Sequence, residues 1–419
     1  MANFKIEGKG KLKGTIKISG AKNAALKILP AAILANSTSI IKNVPEIADI
    51  HKLEDILSSI GTKITHDGNI VTIDPRKINS YKPDSKLIKK LRGSIVVIGP
   101  LLAKFGQAVF SQPGGCLIGA RSIEEHLDVF AQMGVKITKK GNEYHLKGKP
   151  KAGEIILNKM SVTATENAIM SAVLAKGTTK IHVAAAEPEI EDLANYLNKM
   201  GAKITGAGTH DVIVQGVNKL EGKEHEVLPD RIEAGTYLIA AIATNSEVEI
   251  GPFIPKHLSI VLKKLEIAGA KFELITKNNN SYIRTKAHGE LIATDIDTRT
   301  YPGFPTDLQS PYAVLMTQAK GKSQIFETLF EGRFLYIDEL KMLGAKIDVL
   351  SPHIIQIFGA TNMKGTQISS KDIRGGAALV IAALIAEGTT TITDVHYIDR
   401  GYEQMDQKLI GAGVNIERV

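Results

Sequence analysis

Four short segments of the chain combine charged or nucleophilic side chains with glycine or proline, a pattern that can form a binding site for anions. The first segment places Lys22 and Asn23 at the start of an apolar helical stretch, in the run Ser-Gly-Ala-Lys-Asn-Ala-Ala. The positive end of a helix dipole favours phosphate, and an ammonium and an amide beside it would add charge and hydrogen bonds. An exposed helix start with Asn23 as its cap explains the same residues.

The second segment, residues 112–121, surrounds the only cysteine, Cys116, with three glycines and a proline. A glycine-rich loop can lie close to a ligand or move over it as a lid. Arg121 ends the segment and could favour the reactive thiolate, and Arg92, which opens a neighbouring buried helix, could join the same anion site. The alternative is that Cys116 is a small buried hydrophobic residue.

The third segment, residues 301–308, ends in Pro-Thr-Asp-Leu, and its acidic residue, Asp307, precedes a predicted helix. In a cleft crowded with arginine such a carboxylate should stay ionised, and it could take a proton from a substrate hydroxyl. The alternative role of Asp307 is an ordinary helix N-cap.

The fourth element is a pair of segments that set an arginine beside glycine at a predicted helix start. Arg374 lies in Lys-Asp-Ile-Arg-Gly-Gly, and Arg400 lies in Ile-Asp-Arg-Gly-Tyr-Glu. Surface salt bridges explain most neighbouring Asp and Arg residues. The occurrence of the pattern at two element boundaries nevertheless favours arginines that bind anionic ligands.

The sequence contains no pattern typical of a metal or cofactor site. Gly321-Lys322-Ser323 resembles the end of a phosphate-binding P-loop, but Met316 stands where the first glycine should be. The 11 histidines are scattered without a His-Glu-x-x-His run, and a single cysteine excludes a multi-cysteine zinc site or an iron–sulfur cluster. We therefore expect no metal and no cofactor.

The elements that position these segments are predicted from an internal repeat. An amphipathic helical pattern recurs and ends each time in glycine followed by the start of a strand, which is typical of a left-handed helix C-cap. These glycines are Gly61, Gly134, Gly201, Gly269, Gly344 and Gly413. Before each amphipathic helix comes a strand, and before that a helix that is apolar on nearly all faces and must therefore be buried.

Six units of this βαβαββ type predict an α/β protein with two lobes of three units each. We expect the N-terminal lobe to span residues 21–229 and to carry the Cys116 loop. We expect the C-terminal lobe to combine residues 1–20 with 230–419, because the first strand must complete its last unit. Ligands prefer clefts between lobes, so the active site is predicted there.

Composition narrows the function classes further. The 419 residues are 43% apolar and 23% charged, as in ordinary globular proteins, and no apolar run is long enough to span a membrane. The net charge is +8, but aromatic residues make up only 5% and no basic block is interleaved with them, which argues against a nucleic-acid surface. No apolar secretory segment follows the basic N-terminus, so we expect a soluble, cytoplasmic protein without nucleic-acid or membrane partners.

Taken in order, the four segments resemble one family closely. Gly-Ala-Lys-Asn-Ala-Ala-Leu, Pro-Gly-Gly-Cys-x-Ile-Gly-Ala-Arg, Leu-Pro-Asp-Arg-Ile-Glu-x-Gly-Thr, Phe-Pro-Thr-Asp and Ile-Asp-Arg-Gly-Tyr-Glu are similar to motifs of the UDP-N-acetylglucosamine enolpyruvyl transferases. The resemblance covers essentially the whole chain. It implies two inside-out α/β barrel lobes and an addition–elimination reaction with phosphoenolpyruvate, the first committed step of peptidoglycan precursor synthesis. It also implies sensitivity to the epoxide fosfomycin.

The resemblance also implies a role for individual residues. Cys116 would donate a proton and could form a covalent adduct, Asp307 would be the general base, and Lys22 and Arg400 would complete the catalytic set. The residues implied to bind phosphoenolpyruvate are Lys22, Asn23, Arg121 and Arg400. Those implied to bind the sugar nucleotide are Asn23, Arg92, Arg121, Ser122, Ile123, Glu124, Glu125, Lys159, Ser161, Val162, Asp307 and Leu329. Arg333, Asp372 and Arg374 would support the site.

Two positions depart from the family pattern. Thr163 replaces a usual glycine and Ser122 a common proline, which could alter the diphosphate contact but removes no charged or nucleophilic group. One rival function is enolpyruvyl transfer to shikimate 3-phosphate, and another is a non-catalytic relative that binds sugar nucleotide and regulates a partner. We expect small-molecule substrates and a monomer or weak oligomer.

Overall fold

The computed structural model describes residues 2–114 and 122–419. Within these residues the chain divides into two compact units. One comprises residues 20–114 and 122–228, and the other comprises residues 2–19 and 229–419. They are called the N-terminal unit and the C-terminal unit below. Cys116 and Arg121 lie outside the described residues.

Apart from the four-residue α3, the α-helices of the described residues alternate between amphipathic segments and segments that are buried on nearly all sides. They are α1 (Lys22–Ala32), α2 (Ala48–Ser58), α3 (Ser85–Ile88), α4 (Ile98–Phe105), α5 (Glu124–Gln132), α6 (Val162–Ala172), α7 (Pro188–Lys199), α8 (Arg231–Ala243), α9 (Ser259–Ile267), α10 (Gln309–Met316), α11 (Ile337–Met342), α12 (Ile373–Ile385) and α13 (Met405–Gly411).

The strands are short, and most of them alternate buried and exposed residues. They are β1 (Phe4–Glu7), β2 (Thr15–Lys17), β3 (Ser39–Lys42), β4 (Lys63–Asp67), β5 (Ile70–Asp74), β6 (Gln107–Ser111), β7 (Lys136–Lys140), β8 (Glu143–Lys147), β9 (Glu154–Ile156), β10 (Thr178–His182), β11 (Lys203–Thr205), β12 (Asp211–Gln215), β13 (Glu224–Glu226), β14 (Glu249–Phe253), β15 (Lys271–Lys277), β16 (Asn280–Lys286), β17 (Ile296–Asp297), β18 (Gly321–Phe326), β19 (Lys346–Ser351), β20 (Ile354–Gly359), β21 (Gln367–Ser369), β22 (Thr389–Thr393) and β23 (Ile416–Arg418).

In the N-terminal unit the described strands form sheets ordered β13-β3-β5-β4, β6-β8-β7 and β11-β12-β10-β9. The parallel neighbours β13 and β3, and β9 and β10, flank antiparallel hairpins. Helix α4 packs on α6, and α1 packs on α7. Ten of the eleven residues of α1 are buried, which fits a helix at the centre of the unit rather than on its surface.

In the C-terminal unit the sheets are ordered β15-β16-β14-β2, β17-β18-β20-β19 and β21-β22-β1-β23. The N-terminal strands belong here, since β2 pairs in parallel with β14 and β1 lies between β22 and β23. Helices α8, α10 and α12 pack on one another, and every residue of α12 except Ile373 is buried. This cluster of apolar helices forms much of the hydrophobic core of the unit.

The predicted helix ends are confirmed. All six glycines of the repeat adopt positive φ, from 76° at Gly134 to 108° at Gly201, as a left-handed C-cap requires. Within the described residues no helix is long and apolar enough to cross a membrane.

Candidate active site

Lys22 is a buried cation in the N-terminal unit. It is the first residue of α1, only 6% of its surface is exposed, and its Nζ lies 2.9 Å from Oδ2 of buried Asp49 in the first turn of α2. The helix cap is Ala21, which forms no side-chain capping bond, so the alternative of an exposed start capped by Asn23 is wrong. Asn23 is half-buried beside Lys22. A lysine held by a carboxylate at a helix N-terminus is suited to an anionic ligand.

Arg92 forms hydrogen bonds to residues at both ends of the segment that contains Cys116. It begins a short 3₁₀ helix, Arg92–Val97, that leads into α4, as the sequence indicated. Its guanidinium donates to the Pro113 carbonyl at 3.3 Å and to the Ser122 carbonyl at 3.2 Å. Burial lowers the pKa of Arg92, which remains a cation because its ordinary pKa is far above neutrality. Arg92 therefore positions the two points between which the glycine-rich segment runs.

Seven of the twelve residues implied to bind the sugar nucleotide lie at or just before the starts of α5 and α6, namely residues 122–125, Lys159, Ser161 and Val162. Ser122 Oγ accepts from the Glu124 N–H at 3.0 Å, and Glu125 lies 4.0 Å from exposed Lys159. Ser161 is the N-cap of α6 and its Oγ accepts from the Ala164 N–H at 3.4 Å. Buried Ile123 precedes α5, and half-buried Val162 is the first residue of α6. Helix α5 packs on α6, so these residues belong to one region of the unit.

Thr163, one of the two departures from the family pattern, has a structural partner. Its Oγ1 lies 3.1 Å from Nε2 of buried His126, whose Nδ1 lies 2.9 Å from the Asn167 side-chain amide nitrogen. Because that amide nitrogen can only donate, Nδ1 must accept, and Nε2 carries the proton toward Thr163. Burial, reinforced by Arg92 and Lys27, lowers the pKa of His126 to about 3, so the ring stays neutral.

Asp307 forms the centre of the charged cluster in the C-terminal unit. It lies in a 3₁₀ turn, Thr306–Leu308, and its carboxylate pairs with Arg333 through Oδ1 and with Arg374 through Oδ2, the latter at 3.0 Å. The side chains of Arg333 and Arg374 are 6% and 5% exposed, whereas that of Asp307 is 23% exposed. The caps of this turn and of α10 are Pro305 and Leu308, without side-chain capping bonds, so the alternative of Asp307 as an N-cap is wrong.

Arg374 is fixed from three sides. Asp372 caps α12 by accepting from the Arg374 and Gly375 N–H groups, each at 2.9 Å. The guanidinium lies 5.2 Å from the centroid of the Tyr402 ring. Burial lowers the pKa of Arg374, but the Asp307 carboxylate, Tyr402 and Asp230 together outweigh burial, and the net shift is upward. Arg374 is thus a permanent, buried positive charge, and the surface salt-bridge interpretation does not apply to it.

Arg400 lies in a different local setting from the one expected. It ends a 3₁₀ helix, Val395–Arg400, rather than starting the helix that follows, and it is half-buried. Its neighbour Asp399 is paired with Arg418, at 2.8 and 2.9 Å, and Arg418 also binds Asp406. The C-terminal strand β23 therefore secures the backbone next to Arg400.

Leu329 follows a buried acidic residue that sequence reasoning missed. Glu327 accepts from Thr298 and Thr306 hydroxyls at 2.9 and 2.7 Å and from the Leu329 N–H at 2.9 Å. Thr306 Oγ1 also accepts from Arg333 Nε at 3.1 Å. Glu327 thereby joins the turn carrying Leu329, which is partly exposed, to the Asp307 cluster.

A second missed group lies at the start of the C-terminal unit's first helix. Lys408 donates to Ser19 Oγ and to Glu233 Oε1, each at 2.6 Å, and Ser19 also bonds to Glu403. Glu233 lies in α8, Lys408 lies in α13, Glu403 lies just before α13, and Ser19 lies in the N-terminal segment, so the members of this group are distant in sequence. The Leu-Pro-Asp-Arg-Ile-Glu run was the one available signal, because Glu233 ends it.

The geometry therefore brings together Asp307, Arg333, Arg374 and Asp372 within the C-terminal unit, and groups Ser122–Glu125 with Lys159–Val162 in the N-terminal unit. It adds Asp49 as the partner of Lys22. These clusters offer fixed positive charges and oriented carboxylates, which suit transfer reactions of phosphorylated substrates.

Comparison with known proteins identifies the family. The profile of the EPSP synthase family (3-phosphoshikimate 1-carboxyvinyltransferase) matches residues 6–409. UDP-N-acetylglucosamine 1-carboxyvinyltransferase 3 of Caldanaerobacter subterraneus subsp. tengcongensis is 43% identical over 420 residues, and UDP-N-acetylglucosamine 1-carboxyvinyltransferase 2 of Carboxydothermus hydrogenoformans is 45% identical over 421 residues; each match covers 100% of both chains.

Solved structures agree on the fold. The enolpyruvyl transferase NikO from Streptomyces tendae superposes with a TM-score of 0.90 at 23% identity, covering 100% of this chain and 99% of that one. EPSP synthase from Acinetobacter baumannii superposes with a TM-score of 0.75 at 18% identity, covering 100% of both. These likenesses confirm the predicted α/β fold class. The family profile and the full-length sequence matches establish that the chain belongs to the enolpyruvyl transferase family, among the UDP-N-acetylglucosamine 1-carboxyvinyltransferases.

Proposed function

We propose that the chain is a transferase that moves the enolpyruvyl group of phosphoenolpyruvate to the 3′-hydroxyl of UDP-N-acetylglucosamine and releases phosphate. The observation that carries this proposal is 43–45% identity along the whole chain to proteins named for that reaction. The product would enter peptidoglycan precursor synthesis. Since both substrates are metabolites of the cell interior, we place the reaction in the cytoplasm.

The proposed reaction is an addition followed by an elimination. The 3′-oxygen of the sugar bonds to C2 of phosphoenolpyruvate while C3 gains a proton, which gives a tetrahedral ketal phosphate. Loss of phosphate from C2 and of a proton from C3 then restores the double bond. The protein must supply an acid for C3, an acceptor for the hydroxyl proton, and positive charge around phosphate and carboxylate.

Residues of both units are assigned to these tasks. Cys116 is the proposed acid, and Lys22, Asn23, Arg121 and Arg400 are the proposed phosphoenolpyruvate ligands. The position of buried Lys22 at the N-terminus of α1 supports its part, because the positive end of the helix dipole favours an anion beside the ammonium. We propose that the regions at the starts of α5 and α6 bind the diphosphate, with Leu329 near the uracil.

Asp307 is the proposed acceptor of the hydroxyl proton. Its two guanidinium partners disfavour lasting protonation of Asp307, because a neutral carboxyl group would leave two buried positive charges without a counter-charge. This arrangement favours a carboxylate that orients the 3′-hydroxyl by hydrogen bonding and holds the proton only transiently.

The test compares phosphate release from phosphoenolpyruvate with UDP-N-acetylglucosamine, with shikimate 3-phosphate, and with no acceptor. We expect phosphate release only when UDP-N-acetylglucosamine is the acceptor. Release with shikimate 3-phosphate would assign the other carboxyvinyl transfer, and binding of sugar nucleotide without release would indicate a non-catalytic relative. Cys116→Ala should abolish release while retaining sugar-nucleotide binding; wild-type turnover in that variant would refute the role of the thiol.

A further inference from the structure

Three metal-ligating side chains meet in the N-terminal unit, apart from the residues assigned above. His51 and Glu54 lie on α2, and His66 lies on β4. Nδ1 of His66 is 2.7 Å from Oε1 of Glu54, and Nδ1 of His51 is 3.2 Å from Oε2 of the same carboxylate. One ligand atom from each residue lies within 4.8 Å of the other two.

Local structure explains why these side chains converge although no metal-binding motif is visible in the sequence. His51 and Glu54 are three positions apart on a helix, a spacing that places side chains on one face. The chain then turns at Gly61 into β4, which runs back beside α2 and delivers His66. The third ligand thus comes from a different element, which a search for a single helical motif does not detect.

From this convergence we propose that His51, Glu54 and His66 form a binding site for a Zn²⁺-like divalent transition metal. Zinc prefers imidazole nitrogen and carboxylate oxygen at about 2.0–2.2 Å in a tetrahedral arrangement, which separates ligand atoms by roughly 3.3 Å. The contacts of 2.7 and 3.2 Å are near that spacing. The His51 side chain is 52% exposed, so it can rotate to close the remaining distance, while Glu54 and His66, each 12% exposed, are already held in place.

The donor set determines which metal the site would take. Two imidazoles and one carboxylate match zinc, nickel or copper, and the fourth position would hold water. Magnesium and calcium prefer oxygen ligands and are not expected to bind. The competing occupant is a proton: hydrogen bonding to Glu54, opposed by burial and assisted by Glu46, raises the pKa of His66. A metal would replace that proton between the same two groups.

A bound metal would join α2 to β4 close to the candidate active site. The first turn of α2 carries Asp49, whose carboxylate pairs with Lys22 at 2.9 Å. The metal would therefore hold in place the helix that supplies the counter-charge of this lysine. Its role in the proposal is structural, and its test needs no turnover measurement.

The experiment titrates Zn²⁺ into the untagged, chelator-treated full chain near neutral pH by calorimetry, and Co²⁺ by visible absorption. A Cys116→Ser background removes the only thiol, so that any site observed has nitrogen and oxygen ligands. We expect one equivalent of Zn²⁺ per chain and the visible bands of tetrahedral Co²⁺. Absence of a stoichiometric site, or an octahedral Co²⁺ spectrum, would overturn the proposal.

Matched variants locate the site. His66→Asn and His51→Asn should each weaken Zn²⁺ binding by more than the roughly 10–100-fold that loss of a supporting partner causes. His51 lies half-exposed on a helix surface, so its variant keeps the test valid if His66→Asn folds poorly. The control is His182→Asn. His182 also contacts two carboxylates, Glu154 through Nε2 and Asp211 through Nδ1. Because these nitrogens lie on opposite sides of the ring, one metal ion cannot bind His182 and both carboxylates. Unchanged affinity in His51→Asn, or equal loss in His182→Asn, would refute the assignment.

Discussion

Asp307→Asn is expected to lower both the stability of the protein and its turnover, and the two losses can be measured independently. The substitution preserves shape but removes the negative charge shared by Arg333 and Arg374, whose side chains are 6% and 5% exposed. Breaking a buried ion pair by removing one partner typically destabilises a protein by about 3–5 kcal/mol. Because Asp307 is 23% exposed and asparagine can still accept a hydrogen bond, we expect about 3 kcal/mol.

A matched exposed pair serves as the control. Asp297 contacts Arg299 at 2.7 Å, but their side chains are 51% and 60% exposed, so Asp297→Asn should change stability by less than about 1 kcal/mol. Urea unfolding of both variants gives the comparison, with far-UV circular dichroism as the probe. Equal midpoints for the two variants would refute the reasoning that the Asp307 cluster is a desolvated charge network.

Turnover separates the proposed catalytic role of Asp307 from its structural one. Below the unfolding transition, loss of an acid–base group should reduce kcat by about 10²–10⁴-fold. A loss of stability with unchanged kcat would show that Asp307 only neutralises the two arginines. A reduced kcat together with sugar-nucleotide affinity near that of the wild type would support its action on the reacting hydroxyl.

Three further predictions concern other residues. The folded-state pKa of His126 is lowered from 6.5 to about 3, so its contribution to stability is present above about pH 6.5 and is lost as the pH falls toward 3. In urea unfolding between pH 4 and 6, His126→Gln should therefore reduce the pH dependence of the free energy of unfolding by up to about 1.4 kcal/mol per pH unit. An unchanged pH dependence would contradict this. Thr163→Val deletes the bond to His126 and should destabilise by about 1 kcal/mol in the same assay, whereas no change would show that the bond contributes nothing. Fosfomycin should add its mass to the intact chain at Cys116; modification elsewhere, or none, would contradict a reactive thiol at the site.

The sequence predicted the regular parts of the fold better than the environments of its charged residues. The spacing of glycines such as Gly61 and Gly134 correctly located helix ends, because only a positive φ there lets a strand follow directly. Helices apolar on all faces, such as α12, correctly indicated a buried core. Both signals lie within short stretches of sequence, so they can be detected in a single sequence without comparison to others.

The partners of the charged residues could not be predicted, because they come from elements distant in the chain. Asp49 looks like an ordinary acid in the first turn of a helix, and only the fold places it against Lys22. Glu327 likewise has no sequence signal, yet it joins Thr306 to the Leu329 turn. Helix capping was the alternative for Asn23 and Asp307 because it is the commonest role of such residues. Asn23 does not cap α1 because the helix begins one residue earlier, at Lys22, whereas the Asp307 carboxylate pairs with Arg333 and Arg374 instead.

Addition–elimination with UDP-N-acetylglucosamine as acceptor leaves an isotopic signature in the product when the reaction runs in deuterium oxide. The proposed intermediate carries a methyl group at C3 that has gained one solvent hydrogen before elimination. One of the three methyl hydrogens is lost in the elimination, and rotation of the methyl group allows a protium to leave. Mass spectrometry should therefore find a carboxyvinyl adduct of the sugar nucleotide with deuterium in its vinyl group and one phosphate released per adduct. No adduct, or an adduct without deuterium, would contradict the proposed reaction.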